Sequence, residues 1–337
     1  MQTVELCAKM IAAGTAVGKK EAEGPLGDCF DLRDSDDKFG MKTWESAESE
    51  MQRMAFNVAL AKANLTDADI GALFAGDLLN QCVGSAYGLL SFDIPYFGLY
   101  GACSTCAEGL LLASTMVSNG VFFRCGSVAS SHNCAAERQY RTPIEYGGQR
   151  PPTAQWTVTG AGAFLVEKMT ENEKTPCAVI RRGMPGKVSD CGLNDANNMG
   201  AAMAPAALDT LTRFFTDTGS SPADYDLIVT GDLGYEGGSI LKSLMIAEGY
   251  AIDQQYTDCG QLIYDRVKQD VHCGGSGCGC SAVVLGSYLL PRIESGEIRR
   301  MLFLATGAMM SPDSIKQGQN IPAVAHLLEI EHYGGGE

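Results

Sequence analysis

At 337 residues, with 45% hydrophobic and 19% charged side chains, the chain is long enough for two packed cores and too apolar for a disordered polymer. A net charge of −15 leaves no broad cationic surface to displace counterions from a phosphate backbone, which excludes nucleic acid as a partner. The same charge would repel an anionic membrane unless another subunit held the protein there.

Residues 1–10 already carry Glu5 and Lys9, so no signal peptide is expected. The most apolar stretches, 109–117 and 281–290, fall short of the roughly 20 residues needed to cross a bilayer. Thirteen cysteines, an odd number scattered from Cys7 to Cys280, do not suit a disulfide framework. They read as reduced thiols, with Cys7, Cys29, Cys125, Cys177 and Cys191 expected to be small buried hydrophobes.

In chain order, residues 44–64 place Ala47, Met51, Met54, Ala55 and Val58 on one face, which predicts a helix. An apolar strand run, IGALFAGD, covers 70–77, and a second strand covers 94–100. The glycine turn Gly101-Ala102-Cys103-Ser104-Thr105-Cys106 then leads into a small-residue helix over 104–118 that stops at Asn119-Gly120. A strand over 121–129 follows. Residues 130–155 contain Pro143, Pro151, Pro152 and the Gly147-Gly148 pair, show no helix or strand period, and read as a long functional loop. A strand over 157–167 closes the first half. The polar stretch 170–176 marks a seam, giving halves at 1–172 and 173–337.

The second half repeats this order. Leu208, Leu211 and Phe215 mark a helix, LIVTGDL (227–233) matches the 70–77 run, and the glycine turn at 274–280, GGSGCGC, matches 101–106. A helix over 281–294 and strands over 299–307 and 323–331 complete the copy. Helices alternating with strands imply parallel sheets covered on both faces, so the chain is α/β with two pseudo-repeated halves.

Cys103 sits where a helix begins, a placement that lowers a thiol pKa; it reads either as a nucleophile or anion-site residue, or as a small residue fitted to a tight turn. Cys103 and Cys106 have C-x-x-C spacing, but the candidate second set of His272, Cys273, Cys278 and Cys280 lacks comparable spacing, so neither metal nor dithiol chemistry is expected. His132 follows the 121–129 strand, whose end should open on the same crevice as Cys103. It reads as a ligand partner or as a loop-orienting histidine. Asn80 and Asp77 end their strand and could line the mouth, while Asp77 and Asp232, related by the repeat, could instead cap the turns that follow. Arg138, Arg141 and Arg150 offer guanidinium forks on an acidic chain, or salt-bridge and interface roles.

The ordered pieces AGDLLNQ (75–81), GACST (101–105), SSHN (130–133), AERQ (136–139), EYGGQ (145–149), TVTGAG (157–162), MAPA (203–206), TGDL (230–233), GGSGC (274–278) and TGA (306–308) resemble the stage V sporulation protein AD family nearly end to end. The resemblance implies a thiolase-like fold with a layered αβαβα core. In condensing enzymes of that fold a cysteine at the start of the central helix is acylated, and Cys103 matches it. Their second-half histidine and histidine or asparagine are absent: those places read Gly231-Asp232 and Gly274-Gly275-Ser276-Gly277, which cannot supply a cationic N–H to an oxyanion.

No catalytic residues are therefore expected. The resemblance implies dipicolinic acid as ligand, alone or with calcium as part of it, held by residues drawn from Cys103, Ser104, Asn80, His132, Asp232, Ser276, Arg138, Arg141 and Arg150. It also implies SpoVA membrane proteins as partners, a homodimer, no separate cofactor, and a peripheral place at the spore inner membrane. The rival expectations are an acyl transferase or thioesterase using Cys103 with His132 as base, and a purely structural subunit.

Overall fold

The computed structural model describes residues 3–140, 150–170 and 173–335. Thirteen strands are seen among them: β1 (Val4–Val17), β2 (Leu32–Arg33), β3 (Ala72–Gly76), β4 (Tyr96–Gly98), β5 (Arg124–Ser131), β6 (Trp156–Thr157), β7 (Gly160–Lys168), β8 (Cys177–Met184), β9 (Leu227–Thr230), β10 (Tyr256–Asp258), β11 (Gly275–Ser276), β12 (Arg300–Ala308) and β13 (Ala323–Tyr333). The helices are α1 (Lys19–Ala22), α2 (Trp44–Ala63), α3 (Val83–Gly88), α4 (Thr105–Ser118), α5 (Asn133–Tyr140), α6 (Met199–Thr218), α7 (Gly234–Ala247), α8 (Cys259–Leu262), α9 (Cys278–Val284), α10 (Leu290–Glu294) and α11 (Pro312–Lys316).

The sheet order is β10-β9-β12-β13-β8-β1-β7-β5-β3-β4, with β2 beside β1. Read from either end the pattern is the same: an edge strand, two parallel neighbours, then antiparallel strands toward the middle. The repeat is therefore real in three dimensions. The expected seam falls in the β7–β8 connection, yet the halves share one sheet, joined where β1 pairs antiparallel with β8. Helix α4 packs on β3, β5 and β7 of its own half and on β12 and β13 of the other, while α9 packs on β5 and β7. With α2 outside the first half and α6 outside the second, the layers follow the expected αβαβα order.

Burial explains the choice of side chains in the middle layer. Cys106, Ala107, Leu110, Ala113 and Val117 of α4 and Cys278, Cys280, Ala282 and Val284 of α9 are fully enclosed, which requires apolar or small side chains on the faces those helices turn to the sheet. Contact is close enough that a Cβ on Gly162 of β7 would lie 2.7 Å from the Ala282 backbone. Among the described residues, no helix is long and apolar enough to cross a membrane.

Three expectations change. Residues 133–140, read as loop, form α5; only Ala135 and Ala136 are buried, and tertiary contacts hold the helix, with Arg138 paired to Glu45 and the Gln139 amide donating to the Leu78 carbonyl at 2.9 Å. All thirteen cysteines are free, but Cys7, Cys29 and Cys191 are exposed and Cys177 is half-buried, leaving Cys125 alone of that group buried. For Cys7 the reason is strand alternation, since its neighbours Leu6 and Ala8 take the covered face of β1. Strands β1 and β8, absent from the sequence reading, carry the centre of the sheet.

Glu21, fully buried in α1, fastens the halves together: its Oε1 accepts the Thr159 N–H at 3.0 Å and the Tyr264 hydroxyl. Burial pushes its carboxyl up from 4.5 to about 7, against the opposing pull of those bonds. The native state then keeps a proton that the unfolded chain releases, so stability falls as pH rises from 4.5 toward 7 and is flat beyond. Glu21→Gln should flatten that part of the stability curve and raise stability at pH 8 by up to ~3 kcal/mol. Denaturant melts at pH 5 and pH 8 test this, and equal slopes for variant and parent would refute it.

Candidate functional site

The turn before α4 places Cys103. Ala102 adopts a left-handed φ of 51°, and the turn closes on itself, with the Ser104 hydroxyl donating to the Gly101 carbonyl at 2.6 Å and Thr105 Oγ1 to Ala102 at 2.8 Å. Ser104 thus spends its hydroxyl inside the turn. Cys103 faces a cavity of 240 Å³. Ala136, Glu137 and Tyr140 of α5 line one side, Thr157 and Ser276 another, and Asn197, Met199 and Met310 of the second half the rest.

Asp232 lies beneath, fully buried. Its Oδ2 accepts the Ser276 hydroxyl at 2.9 Å and the Gly277 N–H at 3.0 Å, and its Oδ1 accepts the Thr306 hydroxyl at 3.1 Å. Ser276 Oγ is 3.9 Å from Cys103 Sγ, which completes a chain from thiol to hydroxyl to carboxyl. Burial raises the Asp232 carboxyl, opposed by its hydrogen bonds to Cys103, Gly277, Ser276 and Thr306.

Burial pushes the Cys103 thiol well above its ordinary value, and the charge and hydrogen bond of Asp232 push it further. This reverses the expected lowering at a helix start. The partial charge of a helix end is outweighed once water is excluded and an acid stands alongside.

The other expected residues are placed elsewhere. His132 follows β5 as anticipated, but its Nε2 meets the Asp37 carbonyl at 2.8 Å, its ring packs on Trp44 at 5.5 Å, and it does not line the cavity. Burial lowers its pKa, which disfavours the imidazolium. Asn80 accepts the Tyr100 hydroxyl at 3.1 Å at the surface. Arg138 pairs with Glu45. Arg150 stacks over Trp156 at 4.8 Å and donates to the Asp270 carbonyl at 2.6 Å. Neither arginine lines the cavity, and Arg141 lies outside the described residues. His272 is held by Pro151 and Asp270, 2.8 and 3.2 Å away. Among the described residues no group of three or more His, Cys, Asp or Glu side chains could hold a metal ion.

Asp77 caps its turn, accepting the Leu79 and Ser85 N–H groups at 2.8 and 2.7 Å. Asp232 does not: in the second half Asp258 takes that task, accepting the Leu233 and Gly234 N–H groups at 2.8 and 3.1 Å. The repeat-related acid is thereby free to reach across to the glycine turn. Sequence reasoning missed the wall formed by Glu137, Tyr140, Asn197 and Met310. Its one signal was the spacing of Ala136, Glu137 and Tyr140, which share a face only if the segment is a helix.

A profile of the stage V sporulation protein AD family matches residues 1–331. The chain belongs to the stage V sporulation protein AD family. Stage V sporulation protein AD of Bacillus subtilis (strain 168) is 45% identical over 324 residues, spanning 96% of this chain and 94% of that protein. Membership in the stage V sporulation protein AD family brings a role in sporulation.

Solved structures with the same fold include 3-oxoacyl-[acyl-carrier-protein] synthase III of Aquifex aeolicus VF5, at TM-score 0.55, 11% identity and coverage of 96% of this chain and 99% of that one. A variant of Xanthomonas campestris OleA reaches TM-score 0.61 at 13% identity, covering 97% and 99%. At such identity these neighbours show the fold alone.

A buried, proton-retaining thiol should alkylate slowly. With iodoacetamide at pH 8, peptide mass spectrometry should find Cys103 at least about tenfold slower than exposed Cys7, Cys29 and Cys191. Preferential modification of Cys103 would contradict the assigned environment.

Proposed function

We propose that the Cys103 cavity binds dipicolinate, with its charge offset by calcium, while that compound moves into the developing spore, and that the protein does so beside SpoVA membrane proteins without catalysing a reaction. The observation that carries the reading is the Cys103–Ser276–Asp232 chain: an open cavity keeps a thiol at its floor, but the described lining contains no histidine, lysine or arginine to activate it. A protonated thiol with no imidazole or amine beside it, and with carboxyls as its nearest ionisable groups, is a poor nucleophile, which disfavours the acyl transferase or thioesterase alternative.

The walls suit a flat ligand. Tyr140 offers a ring face, and Met199 and Met310 offer polarizable contacts. A bare dianion would meet Glu137 on the wall, with Asp232 buried behind Ser276, whereas its calcium chelate carries no net charge and offers the metal to the Glu137 carboxylate and the Asn197 amide oxygen. Calcium enters as part of the ligand.

Calorimetric titration with dipicolinate, with and without calcium, tests this. Tyr140→Ala and Glu137→Ala should each weaken binding of the calcium chelate at least about tenfold, while Arg138→Ala, remote from the cavity, should leave it unchanged. Absence of heat at millimolar ligand in both conditions would overturn the reading, and turnover of an acyl thioester on Cys103 would restore the enzyme alternative.

A homodimer fits the same reading. Strand β4 ends the sheet, and Tyr87, Leu90, Tyr96, Phe97 and Tyr100 around it are exposed, Leu90 at 75%. An aromatic edge of this kind is satisfied by a second copy. Leu90→Glu should shift the protein to monomer in light scattering; unchanged mass would place any interface elsewhere.

A further inference from the structure

Two turns of the second half converge under Cys103. One follows β9 and carries Asp232; the other precedes α9 and carries Ser276. Gln155, only 3% exposed, stands between them. Its Nε2 donates to the Asp232 carbonyl at 2.6 Å and to the Gly275 carbonyl at 3.1 Å.

Both partners are obligate acceptors, so the amide has only one usable orientation. A carboxylate or hydrocarbon of the same shape could make neither bond. The backbone fixes where this amide sits: the Cys273 N–H donates to Ala154 at 3.0 Å and the Trp156 N–H to Gly274 at 2.8 Å, so residues 154–156 run alongside 273–275 and continue into the β6–β11 pair. The opposing turn accommodates it through Gly234, at φ 67°, where a Cβ would come within 3.1 Å of Gln155 Nε2 and 2.2 Å of the Cys273 carbonyl.

We infer that Gln155 is a positioning residue that clamps the Asp232 turn to the Gly275–Gly277 turn and thereby holds the Asp232 carboxyl against Ser276 and beside Cys103. The inference deepens the pocket reading above, on whose cavity it rests, but its readout is the thiol and needs no ligand. Asp232 is one of the groups that keep Cys103 protonated. When the clamp is lost the turn is released, the carboxyl gains access to water, and the thiol ionises at lower pH.

The test is the pH profile of iodoacetamide modification at Cys103, read by peptide mass spectrometry in the parent, Gln155→Met, Asp232→Asn and the double variant, with circular dichroism as the check on folding. Asp232→Asn should speed modification about tenfold at pH 8.5 by moving the profile about one unit down, and Gln155→Met about threefold by a smaller shift in the same direction. In the Asp232→Asn background Gln155→Met should add no shift, because the clamp then holds no charge.

An unchanged profile in Gln155→Met would overturn the inference. So would a pH-independent acceleration that persists in the double variant, which would mean only easier reagent entry. Gln155→Leu, neutral and equally without the amide donor, should reproduce the Met result, and failure of both variants to fold would overturn the inference by assigning Gln155 a purely structural role. If dipicolinate fails to bind the parent while these shifts appear, the ligand reading falls and the positioning role stands.

Discussion

The buried carboxyl of Asp232 is the constraint around which the two halves are arranged. It accepts donors from the glycine turn before α9 and from Thr306 on β12, and it lies under the cysteine that opens α4. A group that polar can be enclosed only when hydrogen bonds surround it, so three separate segments must arrive together for any one of them to be stable there. The middle layer supplies that convergence. Helices α4 and α9 bury small and apolar side chains because each packs between the sheet halves of the two repeats, and the glycine turns before them carry side chains no larger than serine or cysteine at Cys103, Ser104 and Ser276.

Much of this was legible. The paired glycine turns, the small-residue helices after them and the Gly-Asp strand ends are short-range patterns, and a pattern seen twice in the same order implies duplicated architecture whatever its details. Strands β1 and β8 escaped notice for opposite reasons. The inner part of β1 is covered on both faces, so it reads as a run of small residues with no alternation. Strand β8 carries Arg181 and Arg182 inside a central position, which makes sense only beside Glu329 and Glu331 of β13: Arg182 lies 3.1 Å from the fully buried Glu329, which Arg300 also reaches at 2.7 Å. Those partners are set by register, and register is a property of the folded sheet.

The site was legible where backbone fixes it and illegible where long side chains choose. Cys103, Asp232 and Ser276 stand on tight turns whose place in the repeat determines where they point. His132 and the arginines depend on neighbours far along the chain: Asp37 and Trp44 claim the imidazole, Glu45 claims Arg138, and Trp156 with Asp270 claims Arg150. A strand end aims a residue toward a crevice, but the nearest satisfiable partner decides where the ring or guanidinium goes.

Asp77 and Asp232 hold repeat-related positions but take different partners, and that difference decides which donors around the pocket are already engaged. Acyl transfer needs N–H or O–H donors that remain unspent until negative charge develops on the substrate. Here the Gly277 N–H and the Ser276 hydroxyl both donate to Asp232, so they are occupied before any substrate arrives. Asp258 caps the turn after β9, so Asp232 is not engaged in the local task that its counterpart Asp77 performs. With the turn after β9 capped by Asp258, Asp232 engages the donors of the glycine turn and stands beside the thiol that burial and its charge push upward.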